Sequence, residues 1–343
     1  MSNFKRKIDE NKPYIIAEIS QNHDGSLGQA HAYIDAVADM GADAVKFQTH
    51  IAAAESTKWE KFRVNFSYED KTRYDYWKRM EFTETQWKGL YEHAIARNLD
   101  FLSSPFSNQA LTMLDTIGVP IWKFGSGEVF NNQLLDAAIM TKKPIIISTG
   151  LCTWDDIDKI VEKITKNGNL LVLMQCVTAY PSTKDMININ LIDELKKRYG
   201  SIVGISDHSA TIYPSLAAIT LGAQVVEVHV TMSHYMFGPD VKASVDLTEL
   251  KQIVEGAEYI SFMKKNRETL SERDDYRENM KKLFSKSLYY QGEFNAGHVI
   301  KEQDVVLKKP NNGLDETYLP RLVGKVLNRD VQSDDIVSME DFI

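Results

Sequence analysis

Residues 14–49 read YIIAEISQNHDGSLGQAHAYIDAVADMGADAVKFQT, and this stretch decides the fold. A β-branched apolar run, YIIAEIS (14–20), leads into a polar turn and an amphipathic segment, Gln29–Met40. A second run, ADAVKFQ (42–48), follows at once. Short, nearly continuous apolar runs are the pattern of strands buried on both faces of a parallel sheet. The turn SQNHDGS contains no GxGxxG, so the Gly-rich opening of a doubly wound dinucleotide-binding sheet is missing.

Outward from this unit the theme recurs. The further runs are LDFLSS (99–104), PIWKFGS (120–126), PIIIST (144–149), LLVLMQC (170–176), SIVGIS (201–206) and QVVEVHV (224–230). Helical segments lie between them: Glu84–Arg97, Asn108–Ile117, Leu134–Met140, Trp154–Thr165, Ile192–Arg198 and Pro214–Leu221, with Leu247–Met263 after the last run. Eight strand–helix units over roughly 250 residues match an α/β fold of the (β/α)8 TIM-barrel type in number and size. A doubly wound sheet, the competitor, usually has fewer strands.

The segment after the second run, residues 50–83, is long, aromatic and charged. Long loops at the C-terminal ends of barrel strands cover substrates, so it reads as a lid, with a surface insertion carrying a short helix as the plainer alternative. Residues 264–283 are dominated by charge and read as a solvated linker or exposed helix. From Phe284 short alternating strands and turns take over and suggest a small, mostly β domain. The expected organisation is a barrel over 1–263, a charged linker over 264–283 and a C-terminal domain over 284–343.

Hydrophobic residues make up 43% and charged residues 26% of the 343, the balance of a globular protein. Lys+Arg 40 against Asp+Glu 48 gives a net charge of −8, which argues against a nucleic-acid partner but not against a locally basic pocket for a small anion. The N-terminus has no apolar run of a signal peptide, and no stretch reaches the roughly 18 apolar residues of a membrane span. The two cysteines, Cys152 and Cys176, are too few for a disulfide framework; they read as packing residues, and free thiols fit a reducing cytoplasm.

On a barrel, the polar residues at strand ends form the active face. They are Glu18, Asn22, His23, Lys46, Gln48, Ser103, Ser104, Lys123, Ser126, Ser148, Thr178, Tyr180, Ser206, Asp207, His208 and His229. Two lysines and several hydroxyls make a ring of donors suited to a phosphate and a carboxylate. A buried lysine is costly without an anion, so Lys46 and Lys123 imply either a bound anion or partner carboxylates, with Glu18 a candidate partner. His208 and His229 on neighbouring strands could hold a divalent cation or be hydrogen-bonded core residues. Glu18 and Asp240 could serve as carboxylate ligands or as acid and base.

The strings AEISQNHDGS (17–26), AVKFQTH (44–50), FLSSPFS (101–107), KFGSGE (123–128), PIIISTG (144–150), AYPS (179–182), GISDHS (204–209), VEVHVT (226–231) and GPD (238–240) together resemble the sialic acid synthases, or N-acetylneuraminate synthases. They run in order along nearly the whole barrel, and the C-terminal region is similar, more weakly, to that family's antifreeze-like domain. The resemblance implies condensation of phosphoenolpyruvate with an N-acetylated hexosamine to a nonulosonic acid and phosphate. It implies Glu18 as the catalytic carboxylate, and Lys46, Ser104, Lys123, Ser126, Ser148, Thr178 and Ser206 as phosphoenolpyruvate ligands. It implies His208 and His229 as ligands of Mn2+, with Mg2+ or Co2+ able to stand in its place, and Tyr180 and Asp240 as residues facing the acceptor sugar. A cytoplasmic, domain-swapped homodimer is the implied assembly.

The chain departs from the family pattern in places. Ser104 stands for the usual Thr, Val228 for the usual Lys before the second histidine, and Val241 follows Asp240. The usual RPG-like turn reads KKPNNG, which puts Lys309 where an arginine reaches the acceptor; Arg321 could substitute. Lysine lacks the planar fork of arginine, so the acceptor could differ from N-acetylmannosamine. Two other readings stay open: another phosphoenolpyruvate-condensing keto-acid synthase or a lysine-based aldolase on the same barrel, and a non-catalytic sugar-binding protein.

Overall fold

The computed structural model describes residues 2–62, 64–265 and 275–343. The chain divides into two compact units, Met1–Asn266 and Arg267–Ile343. In the first, eight parallel strands close into a barrel in sequence order. They are β1 Tyr14–Ser20, β2 Ala44–Thr49, β3 Asp100–Pro105, β4 Trp122–Phe124, β5 Ile145–Ser148, β6 Leu171–Cys176, β7 Ile202–Asp207 and β8 Val225–His229. The fold expected from the sequence is therefore present, with β4 shorter than its apolar run.

The helices follow the same plan. Before the barrel comes α1 Asn3–Asp9; then α2 Leu27–Asp39 follows β1, and α3 Ala52–Glu55, α4 Arg73–Met80 and α5 Glu84–Ala96 follow β2. The rest are α6 Asn108–Ile117, α7 Asn132–Met140, α8 Trp154–Lys166, α9 Leu191–Tyr199, α10 Tyr213–Leu221 and α11 Leu247–Lys265. Side-chain caps start several of them: Ser26 accepts from Gln29 N, and Thr83 and Thr153 form capping boxes with Gln86 and Asp156.

Strand alternation sorts the residues into two cores. Ile15, Ala17, Val45, Phe47, Phe101, Ile147, Leu173, Ile205 and Val228 face the helices in one large cluster. Tyr14, Ile16, Ala44, Leu102, Ile146, Val172, Met174 and Val225 fill the lower barrel in another. The inward parity that carries Ile16, Ala44, Leu102, Ile146 and Val225 reaches Glu18, Lys46, Ser104, Ser148 and Glu227 two residues on. An apolar floor thus passes directly into a polar mouth.

Helix α1 plugs the floor, and the sequence reading did not anticipate it. Phe4 is buried against Tyr14, ring centroids 5.2 Å apart. Asp100 accepts from Asn3 N (3.1 Å), Phe4 N (2.8 Å) and Tyr14 Oη (3.0 Å). Those amides are the orphan donors of a helix start, so one buried carboxylate fixes the plug.

The segment over residues 50–83 contains α3 and α4, built around buried Ala52, Tyr76, Trp77 and Met80. Phe66 and Tyr68 pack on Phe237, beyond β8, at 6.2 and 5.7 Å. Arg79 binds Asp70 and donates to Asp24 Oδ1 at 2.6 Å. The segment thus bridges the loops after β1, β2 and β8.

In the second unit, α12 Asp275–Phe284 precedes an antiparallel pair, β9 Ser287–Tyr290 and β10 Val305–Lys308, and α13 Leu319–Leu322 follows. Leu288, Tyr290, Ile300, Val305, Leu322, Leu327, Val331, Val337 and Phe342 form its core. Within the charged stretch 264–283, residues 266–274 lie outside the described residues, and 275–283 belong to α12, which buries no side chain.

Truncating Phe4 removes the plug's anchor. Phe4→Ala is expected to cost about 3 kcal/mol of stability, read by urea denaturation, with the barrel's far mouth unaffected. An unchanged midpoint would show that the plug is dispensable.

Candidate active site

Ten of the thirteen residues given a role by the resemblance line one cavity at the C-terminal ends of the strands: Glu18, Lys46, Ser104, Lys123, Ser126, Ser148, Tyr180, Ser206, His208 and His229. Gln48, Phe106, Gly125, Cys176 and Glu227 complete it. Three others stand apart. Thr178 is exposed, its hydroxyl close against Gly150. Asp240 accepts a short hydrogen bond from Ser20 Oγ. Lys309 lies in the second unit, exposed, with Nζ 5.2 Å from the Phe284 ring, and Arg321 covers Tyr318 there.

Both lysines are fully buried and paired. Lys46 Nζ lies 2.5 Å from Glu18 Oε2 and 3.9 Å from Glu227 Oε2, and donates to Ser104 Oγ at 3.2 Å. Lys123 Nζ donates to Ser148 Oγ at 2.7 Å and lies 3.4 Å from Glu227 Oε1. Burial works against the Lys46 charge, but Glu18 and Glu227 outweigh it and raise its pKa. Burial likewise opposes the charge of Glu227, and the two ammonium groups with Ser206 hold its pKa well below the ordinary range. Lys46 so held is protonated and offers no free amine to act as a nucleophile.

Glu227 was missed in the sequence. Its signal was parity: it stands two residues before His229 on β8 and so faces the same way, inside an otherwise apolar run. Val228, the departure between them, faces the helix layer and leaves the cavity unchanged.

The histidines are a pair, with ring centroids 5.1 Å apart. His208 Nδ1 donates to Val177 O at 2.7 Å, which leaves Nε2 with a free lone pair. Tyr180 stacks on His208 at 4.0 Å. Burial, then the neighbouring His229, pushes the His208 pKa down to about 3, so the ring is neutral. His229 Nδ1 is buried and has no hydrogen-bond partner among the described residues. The neutral His208 ring, oriented by a carbonyl, together with His229 and anionic Glu227 makes a donor set that fits a borderline divalent cation. A second cluster, His234 with Asp246 and Glu249, is accounted for otherwise: the two carboxylates cap α11 reciprocally, at 2.8 and 2.9 Å. Cys176 is buried, with its thiol pKa raised by burial, as befits a packing residue.

Fold and cavity together define a (β/α)8 enzyme scaffold whose mouth gathers two buried lysines, several hydroxyls and a pair of imidazoles. The chain belongs to the NeuB family, whose sequence pattern matches residues 33–269, and residues 286–343 match the SAF domain. It is 32% identical to N,N'-diacetyllegionaminic acid synthase of Campylobacter jejuni over 95% of this chain and 99% of that one. It is 29% identical to pseudaminic acid synthase of Helicobacter pylori, covering 96% and 97%. A crystal structure of N-acetylneuraminic acid synthetase from Leptospira borgpetersenii superposes with a TM-score of 0.69 at 30% identity, covering 79% of this chain and 91% of that one. Among the described residues no helix is long and apolar enough to cross a membrane.

His23 flanks this site and gives it a pH signature. It is fully buried, and its Nδ1 accepts from Gly25 N at 3.1 Å. Burial, with His50 and Arg79 nearby, lowers its pKa to about 3, whereas the unfolded ring titrates near 6.5. The unfolded chain therefore takes the proton first, and stability is lost as pH falls from 6.5 toward 3. His23→Gln is expected to flatten the acid limb of stability by about 1.4 kcal/mol per pH unit between about pH 6 and 4, measured by urea titration. An identical limb in the variant would place the proton uptake elsewhere.

Proposed function

We propose that this chain joins carbon 3 of phosphoenolpyruvate to the aldehyde carbon of an N-acetylated hexosamine, giving a nonulosonic acid and inorganic phosphate. The observation that supports it most is the neutral balance of Lys46 and Lys123 against Glu18 and Glu227 beside the His208–His229 pair in one cavity. The names of the relatives support an acid of the legionaminic or pseudaminic kind, and Lys309 in place of the family arginine supports an acceptor other than N-acetylmannosamine.

Lys46, Lys123 and the hydroxyls of Ser104, Ser126, Ser148 and Ser206 grip the phosphate and carboxylate, with Thr178 at the rim. His208 and His229 would hold a divalent cation, Mn2+ or Mg2+ or Co2+ in its place, which supplies Lewis-acid polarisation of the aldehyde oxygen. The arriving phosphate draws Lys46 away from Glu18. Freed, Glu18 takes a proton from the water that adds at carbon 2. The C–C bond forms from the enol carbon as the aldehyde C=O opens, its oxygen taking the proton held by Glu18. The tetrahedral centre at carbon 2 then breaks its bond to the phosphate oxygen as its hydroxyl gives up a proton to the departing phosphate, leaving the keto acid and inorganic phosphate. Tyr180 and Asp240 face the sugar. The α3–α4 segment excludes water from the mouth.

We assign the barrel to 1–263, the linker to 264–283 and the antifreeze-like domain to 284–343. The enzyme is cytoplasmic and works as a homodimer in which each C-terminal domain closes the partner's barrel, with Lys309 or Arg321 meeting the acceptor.

A phosphate-release assay with a panel of hexosamines tests the chemistry. Release is expected only with phosphoenolpyruvate, sugar and divalent cation together, and chelation should stop it reversibly. Glu18→Gln is expected to lower kcat about 10²–10⁴-fold, and His208→Ala to abolish cation-dependent turnover. Borohydride should trap no adduct; a trapped lysine adduct or sugar-independent release would contradict the proposal. Light scattering should give twice 39.0 kDa; a monomeric mass would refute the dimer.

A further inference from the structure

His50 follows β2 directly and is buried outside the cavity wall. Its ring is sandwiched between Trp77 of α4, at 3.9 Å and 13°, and Phe106, at 4.2 Å and 22°. Phe106 also lines the cavity. Both ring nitrogens face oxygen acceptors. Nδ1 lies 2.5 Å from Glu55 Oε1, and Nε2 lies 3.3 Å from Gln48 Oε1. The other oxygen of Glu55 accepts from Ile51 N at 3.2 Å.

The Gln48 amide is not free to turn round. Its Nε2 donates at 3.0 Å to Glu18 Oε1, a carboxylate whose other oxygen is paired with Lys46. Its Oε1 also receives Gln21 Nε2 at 3.2 Å. Reversing it would set an amide oxygen against the Glu18 carboxylate. His50 therefore meets an acceptor at each nitrogen, and a neutral imidazole carries only one N–H.

We infer that His50 is held as an imidazolium and is a positioning residue: through Gln48 it fixes the orientation of Glu18, and through Trp77 it ties that orientation to the α3–α4 segment. This rests on the reading of Glu18 as the catalytic carboxylate. The surroundings suit a cation. Two aromatic faces and the Glu55 carboxylate compensate a buried positive charge. The other titratable groups in reach are His23, which burial keeps neutral; Glu128, close to Glu55; Arg79 of α4; and Glu18 across Gln48. With the charge present, Nε2–H anchors the Gln48 oxygen and its amide N–H points at Glu18. Without it, the one remaining proton stays with Glu55, a lone pair opposes Gln48 Oε1, and the amide loses the anchor that holds its N–H on Glu18.

The test uses the full chain. In 15N-histidine spectra of the ligand-free protein at pH 7.5, with His50 assigned by its absence in His50→Phe, both ring nitrogens are expected to show protonated shifts. A singly protonated ring overturns the proposal. His50→Phe keeps the stacking surface and deletes both donors. It strands the Glu55 carboxylate, so it is expected to lower the melting temperature, and in the folded fraction to lower kcat about 10–100-fold while KM for phosphoenolpyruvate stays within about twofold. Glu55→Gln removes the counter-charge, so its turnover is expected to fall as pH rises through about 6.5, a limb absent from the parent enzyme. If His50→Phe does not fold, that limb decides, and its absence overturns the role. Glu18→Gln separates the two ideas. If Glu18→Gln is inactive while His50→Phe turns over fully, the positioning role falls and the underlying function stands. If Glu18→Gln remains fully active, the underlying function falls as well.

Discussion

An ammonium group cannot be buried inside a barrel without a counter-charge, and this chain buries two. Lys46 and Lys123 are met by Glu18 and Glu227 from the neighbouring strands β1 and β8, so the mouth is filled with charge and neutral in sum. Breaking one such pair leaves an uncompensated buried charge and costs about 3–5 kcal/mol. The residues proposed to grip substrate are therefore also the ones that keep the barrel closed at that end. That double duty ties the four together: losing one member strands the rest.

Everything above the floor depends on register. Glu18 lies beside Lys46 on β2 and beside His229 on β8, and Lys123 lies beside Ile146 on β5. A slip of one residue in any strand would swing its inward set into the helix layer. The apolar outward set, from Ile15 to Val228, holds the register, so the packing of the helices places the charges. Gly204 shows how tightly the interior is filled, since a Cβ there would meet Met174 Sδ at 2.5 Å and Val225 O at 2.3 Å.

Much of this was readable in the chain. Most strands lie in local apolar runs, and capping residues such as Thr83 and Thr153 mark helix starts locally. Strand-end lysines and histidines then fell together because a closed barrel gathers strand ends. What escaped depends on contacts distant in sequence. Helix α1 spans only Asn3–Asp9 and gains its stability from Asp100, whose carboxylate lies 96 residues beyond Phe4. Glu227 sits in mid-run, where residues were read as packing. His50 is a lone histidine until Trp77 and Phe106 close on it. Thr178, expected at the end of the sixth strand, lies beyond it and exposed because β6 ends at Cys176.

One motif residue becomes intelligible only through the segment that covers it. In HDGS (23–26), Gly25 adopts φ +74°, and a Cβ there would meet Arg79 O at 2.4 Å. Arg79 ends near α4's C-terminus, where its side chain grips Asp24 beside that glycine and Asp70 behind it. A side chain at 25 would push the covering segment off the first turn of the barrel. The turn that opens the sequence pattern is thus shaped by helix α4, more than fifty residues away, and its glycine serves the closure of the mouth as much as the turn itself.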